Sequence, residues 1–341
     1  MTQHSSSYDA LILVSFGGPE RPEDVIPFLE NVLRGKRVPR ERLLEVAEHY
    51  YHFDGVSPIN AQNRALIAAI QSELEVQQID LPVYWGNRNW HPMLPDTLRE
   101  MKKDGVRTAL GFVTSAFSSY SGCRQYRENI NVAQEDVGEG APLIDKLRVF
   151  YNHPRFIRAV ADRIKTALIQ VPTDRHASTL LVYTAHSIPE SMAQHCQYVP
   201  QLQEASRLAT EAVGSFDSEL VYQSRSGPPT QPWLEPDVGD ALRAVHATGK
   251  YTDVVIIPIG FLSDHMEVLF DLDFEVKSLC QEIGFNMVRA ETVGVHPEFV
   301  GMIVDLILER TTQTERLAIG QFGPQHDECP VDCCESGRKP T

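Results

Sequence analysis

Three carboxylates, Glu267, Asp271 and Glu275, follow one another at intervals of four residues just after Asp264 and His265. On a helix that spacing sets all three on one face. Like charges so placed weaken a helix by roughly 0.2–0.5 kcal/mol per pair. A row of oxygen ligands facing a cation reverses the sign of that penalty, and a solvated acidic face is the alternative. His186, one of 12 histidines, closes an apolar run elsewhere in the chain. Beside a carboxylate such as Glu267, its imidazole makes a site for a divalent first-row metal: ferrous iron, cobalt, zinc or manganese. Two protein ligands are too few for a closed structural site and would hold a metal loosely enough to pass it on. Cys329, Cys333 and Cys334 form a second donor set, three of the six cysteines within six positions. In a reducing compartment such a cluster more often binds metal than forms bridges.

These groups need strands to aim them. Val254 to Ile259 reads as a buried parallel strand broken at Gly260, so the acidic row follows a strand's carboxyl end, where open α/β sheets bind ligands. Thr179 to Tyr183 is another, running into Thr184-Ala185-His186-Ser187-Ile188-Pro189, and two strand ends can aim His186 and Glu267 into one site. The same strand-to-loop transition recurs at Ala10 to Val14, at Val83 onward, at Ala109 to Val113 and at Glu219 to Gln223, with the last entering Ser224-Arg225-Ser226-Gly227-Pro228-Pro229. Helical spacing falls between them: from Pro22, through Val46 and Ala47 to Tyr50, through Ala65, Ile67 and Ile70, and from Pro297 to Arg310. The alternation predicts an α/β chain of two Rossmann-like lobes, residues 8–150 and 151–320, each a parallel sheet flanked by helices. A cysteine-bearing tail follows at 321–341, and the last helix can pack back on the first lobe.

The rest of the chain narrows the chemistry. A formal charge of -15 argues against nucleic acid and anionic membranes as main partners, even with basic residues at Arg34, Lys36, Arg37, Arg40 and Arg42. No apolar run reaches membrane-span length, and Met1 to Ser7 is a short polar segment without a signal pattern, so the cytoplasm is expected. Gly17-Gly18 is neither GxGxxG nor a Walker loop, and HExxH and GxSxG are missing, which disfavours nucleotide-driven, zinc-protease and serine-hydrolase chemistry. Trp85, Trp90 and Arg88 offer aromatic walls and a fixed cation, suited to a flat anionic ligand, with core packing and a salt bridge as the alternative.

Six blocks resemble the signatures of ferrochelatase: Ser15-Phe16-Gly17-Gly18-Pro19, Gly55-Val56-Ser57-Pro58, Thr184 to Pro189, Gln223-Ser224-Arg225, Pro232-Trp233-Leu234-Glu235-Pro236 and Pro258 to Glu267. They occur in the family's order from about Tyr8 to Arg310. The resemblance implies insertion of ferrous iron into a porphyrin without nucleotide hydrolysis, with His186 and Glu267 binding iron and Asp271 and Glu275 extending an acidic path. It also implies that Tyr50, Ser57 and Tyr126 touch the propionates or rim, with Arg88 doing likewise. Insertion replaces two pyrrole protons by a cation, which calls for a base and weak ligands; a neutral His186 and an ionised Glu267 meet both needs. Binding the porphyrin distorted would expose its nitrogens and lower the barrier.

Within the family the chain is most similar to the monoderm, especially actinobacterial, coproporphyrin III ferrochelatases, through Trp85-Gly86-Asn87-Arg88-Asn89-Trp90 together with a cysteine tail. That implies coproheme as product, with an iron donor and a downstream haem-pathway enzyme as partners. Protoporphyrin IX is the alternative substrate, and a non-catalytic porphyrin carrier the alternative from another class. Many monoderm relatives have a tyrosine able to ligate iron where this chain has Phe16. The tail resembles those that carry a 2Fe-2S cluster, whose fourth ligand comes from within the domain and points to Cys123, with Cys196 as runner-up. A zinc site of His326 with Cys329, Cys333 and Cys334 is the rival, and a reduced, metal-free tail a third reading.

Overall fold

The computed structural model describes residues 8–36, 38–227 and 230–337; Met1 to Ser7, Arg37, Pro228, Pro229 and the end of the tail from Arg338 lie outside it. Two parallel four-stranded sheets are built from the described residues. The first holds β1 (Ala10–Ser15), β2 (Val83–Asn87), β3 (Thr108–Val113) and β4 (Leu143–Lys146) in the order β2-β1-β3-β4. The second holds β5 (Thr179–His186), β6 (Asp217–Gln223), β7 (Asp253–Ile257) and β8 (Asn286–Arg289) in the order β6-β5-β7-β8. Each sheet repeats the same order, so each has a topological switch point, between β1 and β3 in one and between β5 and β7 in the other. The strands flanking those points are buried along almost their whole length, as strands covered on both faces must be.

The chain divides into two compact units. The first comprises residues 8–114, 125–148 and 303–316; the second comprises 115–124, 149–302 and the chain from Leu317 onward. The helix Pro297–Thr311 therefore begins in the second unit and ends in the first. The strand expected to reach Ile259 stops at Ile257, because Pro258 has no N–H for the ladder and the Ile259 N–H turns back to Ile257 O at 2.8 Å.

The acidic segment packs through its other face. Val268, Leu272 and Val276, each one position after a carboxylate, are at most 4% exposed and join Leu180, Val182 and Ile256 in the core of the second unit. Leu269–Val276 is a π-helix rather than the α-helix that a spacing of four suggests. Its i→i+5 bonding widens each turn, and residues four apart remain on one face. Burying one four-spaced row thus presents the neighbouring row of carboxylates. No helix among the described residues is long and apolar enough to cross a membrane.

Candidate metal centre

His186 is the last residue of β5, and Glu267 lies beyond the loop that leaves β7. The two come from either side of the second unit's switch point, and His186 Nε2 stands 3.3 Å from Glu267 Oε1. Close approach of the loop to β5 depends on Gly260. Its N–H donates to Thr184 O at 3.0 Å, and a Cβ there would lie 2.7 Å from Ala185 Cα, beside His186. Gly260→Ala should therefore cost about 1–3 kcal/mol of stability in denaturant unfolding and lengthen the contact between His186 and Glu267. His265 sets the other end: its Nδ1 accepts the Glu267 N–H at 3.1 Å and caps the short helix Met266–Val268. Burial lowers the His265 pKa, which keeps this nitrogen an acceptor.

Burial works against charge on His186, yet the Glu267 carboxylate outweighs it, and the imidazole pKa is pushed up to about 9. Burial would likewise raise Glu267, but the His186 charge and hydrogen bond hold it down at about 2. At neutral pH the metal-free pair is an imidazolium facing a carboxylate. The expected ionised Glu267 is present, whereas His186 becomes neutral only when something displaces its proton. His186 Nδ1 donates to Ser187 O, so that proton sits on Nε2, the nitrogen a metal would take.

Along the acidic row, Ser224 Oγ donates to Asp271 Oδ2, and the Gln223 amide donates to the backbone carbonyl of Glu267. Ser224 sits in the left-handed region at φ 60°, an uncommon conformation for serine that aims its hydroxyl at the row. Burial raises the Asp271 pKa to about 7, with Ser224 opposing and Glu267 and Glu275 adding to the rise. Glu275 is raised by burial and then by Asp237. Arg289, on β8, pairs with Asp273 at 2.6 Å and with Asp264 at 3.3 Å, fixing the far side of the segment. The sequence places Gln223 and Ser224 where a strand enters a loop, and the structure adds their hydrogen bonds to the acidic row.

In the first unit the Arg88 guanidinium lies 4.5 Å from the Tyr126 ring centroid and 5.6 Å from that of Phe16. Tyr126 is 5% exposed and Ser57 is 4% exposed, whereas Arg88 and Tyr50 are half-buried. Gly18 brings the loop after β1 onto Ser57, whose Oγ would lie 2.9 Å from an added Cβ. Tyr50 packs edge-on to Phe28 at 5.8 Å, and Phe28 also meets Phe16 and Trp90. Arg88, Tyr126 and Phe16 thus form one patch, Tyr50 reaches it through Phe28, and Ser57 supports the glycine loop.

The cysteines expected to act together belong to the second unit. Cys123, in the short π-helical turn Tyr120–Arg124, is buried, and its thiol shares a hydrogen bond with that of buried Cys334. Cys333 Sγ lies 3.5 Å from Cys334 Sγ. The ligand atoms of His326, Cys329 and Cys333 fall within 4.8 Å of one another. Cys196 donates its S–H to Met192 O at 3.4 Å. The tail is tied down by side chains of its own unit: Asn152 donates to Phe322 O at 2.7 Å, and Glu204 accepts the Gln321 N–H at 2.6 Å.

Comparison with known proteins adds a family to this geometry. The sequence model of the ferrochelatase family matches residues 8–311. A protein of Rhodopirellula baltica named ferrochelatase is 60% identical over 328 residues, covering 96% of this chain and 93% of its own. The coproporphyrin III ferrochelatase of Nocardia farcinica is 49% identical over 346 residues, covering 97% of this chain and 98% of its own. Among solved structures, SirB from Bacillus subtilis with Fe3+ superposes with a TM-score of 0.57 over 90% of this chain and 97% of its own, at 13% identity, a likeness of fold.

Proposed function

Because the chain belongs to the ferrochelatase family and is thereby a metal-inserting lyase, we propose that its tetrapyrrole is coproporphyrin III, converted to coproheme with release of two protons. The observation that carries the reaction is the His186–Glu267 pair at 3.3 Å beside the switch point. Support for the substrate comes from the relatives named coproporphyrin III ferrochelatase at 49% identity and from the arginine-aromatic patch around Arg88, chemistry suited to a flat, propionate-bearing ring. Presenting ferrous iron with equal coproporphyrin III and protoporphyrin IX, anaerobically, tests this. Faster consumption of coproporphyrin III is expected; preference for protoporphyrin IX would move the enzyme to the other haem route.

Ferrous iron approaches the pair, displaces the Nε2 proton of His186 to water and gains Glu267 as its second protein ligand. As the metal passes to the porphyrin nitrogens, the freed imidazole, with its pKa of about 9, takes up one pyrrole proton. Asp271, with a pKa of about 7, accepts the other and returns it to water. Glu275 extends the row along which cations and protons exchange. With Phe16 behind β1, no tyrosine at that position ligates the iron.

A proton must leave His186 for metal to bind, which sets a pH dependence. Apparent affinity for Zn2+ or Co2+, measured without porphyrin in a Cys329→Ser, Cys333→Ser background that removes the tail thiols, should rise by about tenfold per pH unit below pH 9 and level off above it. A flat profile from pH 6 to 9 would mean that the pair does not carry the proton.

The thiols of Cys123, Cys329, Cys333 and Cys334 fit a 2Fe-2S cluster, since four converge in one neighbourhood and one buried pair faces one outer pair. When bound, the cluster would supply a redox-active cross-link between the tail and the Tyr120–Arg124 turn. We place the enzyme in the cytoplasm, with an iron donor and a downstream haem-pathway enzyme as its partners.

A further inference from the structure

Five sulfur and nitrogen donors gather at the tail and the Tyr120–Arg124 turn, two buried and three nearer the surface, joined where Cys333 Sγ meets Cys334 Sγ at 3.5 Å. Cys123 and Cys334 form a buried thiol pair, with 4% and 3% of their surfaces exposed. His326, Cys329 and Cys333 lie outside it, His326 exposed and both cysteines half-buried, their ligand atoms within 4.8 Å of one another. His326 Nε2 is already 3.8 Å from Cys333 Sγ. Ligands of a tetrahedral zinc ion, at about 2.0–2.3 Å from the metal, sit slightly under 4 Å apart. The trio needs to close by roughly an ångström to meet that geometry.

We propose that His326, Cys329 and Cys333 form a mononuclear site for a borderline-soft divalent cation, zinc above all, that does not require Cys123. Two thiolates and one imidazole are a donor set that favours zinc and cobalt over magnesium or calcium. Three protein ligands leave a fourth position for water. The site shares Cys329 and Cys333 with the four-thiol set, so one tail holds either the single ion or the cluster. Binding releases the thiol protons and leaves the buried Cys123–Cys334 pair in place. The segment bearing the trio follows the anchors at Asn152 and Glu204, which hold the chain near it with or without metal.

The test uses the full-length protein, stripped of metal under reducing conditions and titrated with Co2+ and Zn2+. A His186→Ala background removes the other histidine site. Tetrahedral cobalt bands with sulfur-to-cobalt charge transfer, displaced by one equivalent of Zn2+, are the expected signature. His326→Ala should weaken that binding by about tenfold or more, since losses of 10–100-fold follow even from altering a group outside the ligand shell. Cys123→Ser should leave it within about twofold while abolishing cluster absorbance in iron-loaded protein, and thermal unfolding checks that the variant is folded. Absence of the cobalt signature, binding indifferent to His326→Ala, or loss of binding in Cys123→Ser would each overturn the proposal. Porphyrin metallation is read separately, so failure here is distinct from failure of the chelatase reading.

Discussion

Exchanging Glu267 for Gln is expected to lower the metallation rate by about 10²–10⁴-fold while leaving porphyrin binding intact. The substitution keeps the shape of the side chain and removes its charge, so the proposed iron ligand is lost together with the group that raises His186. The second effect gives an independent readout with a definite sign. Burial is the largest influence on His186 and acts downward; without the carboxylate it prevails, and the imidazole should fall from about 9 to below its ordinary 6.5. NMR titration of His186 checks this directly. His186→Ala should lose activity to a similar degree, and the double variant little more, because the two act on one ion. A Glu267→Gln enzyme with unchanged rate and an unshifted His186 would remove the pair from the reaction and favour a porphyrin carrier.

The largest expected loss of stability lies far from this chemistry. In the first unit, Arg148 and Glu309 are 0% and 3% exposed at their side chains and pair twice over, Nε to Oε2 at 2.8 Å and Nη2 to Oε1 at 2.7 Å. The pair ties the segment after β4 to the end of the Pro297–Thr311 helix, two stretches more than 150 residues apart in sequence that belong to the same unit. Arg148→Met leaves a buried carboxylate without its guanidinium, which should cost about 3–5 kcal/mol. Melting of the affected unit should fall by roughly 10 °C. Joint replacement by Arg148→Met and Glu309→Leu should recover most of that loss, because a hydrophobic pair avoids desolvating either charge. A single variant within about 1 kcal/mol of the parent would mean that the site relaxes or admits water.

The central strands were legible because strands covered on both faces must be apolar throughout, as Leu11 to Val14 and Val254 to Ile257 are. Strands β4 and β8 were missed for the converse reason. They are four-residue edge strands with exposed positions, Leu-Ile-Asp-Lys and Asn-Met-Val-Arg, and show no apolar run. The row at Glu267, Asp271 and Glu275 was readable as one face, but a spacing of four suits α- and π-helices alike, and only the buried partners Val268, Leu272 and Val276 show how the segment packs. Proximity of His186 to Glu267 was legible because one closes a strand and the other lies in the segment that follows a second strand. The protonation of His186 did not, because it depends on a 3.3 Å contact and the desolvation around it. Burial of Ser57 and Tyr126 was equally invisible in the sequence; Ser57 packs on the glycine loop and the Tyr126 ring lies against the Arg88 guanidinium.

The most direct test of the central claim is anaerobic mixing of the protein with ferrous iron and excess coproporphyrin III, following the Soret band and proton release together in weakly buffered solution. Repeated turnover to coproheme is expected, with two protons released per iron inserted. Tight porphyrin binding with no metallation, or metallation no faster than without protein, would contradict it.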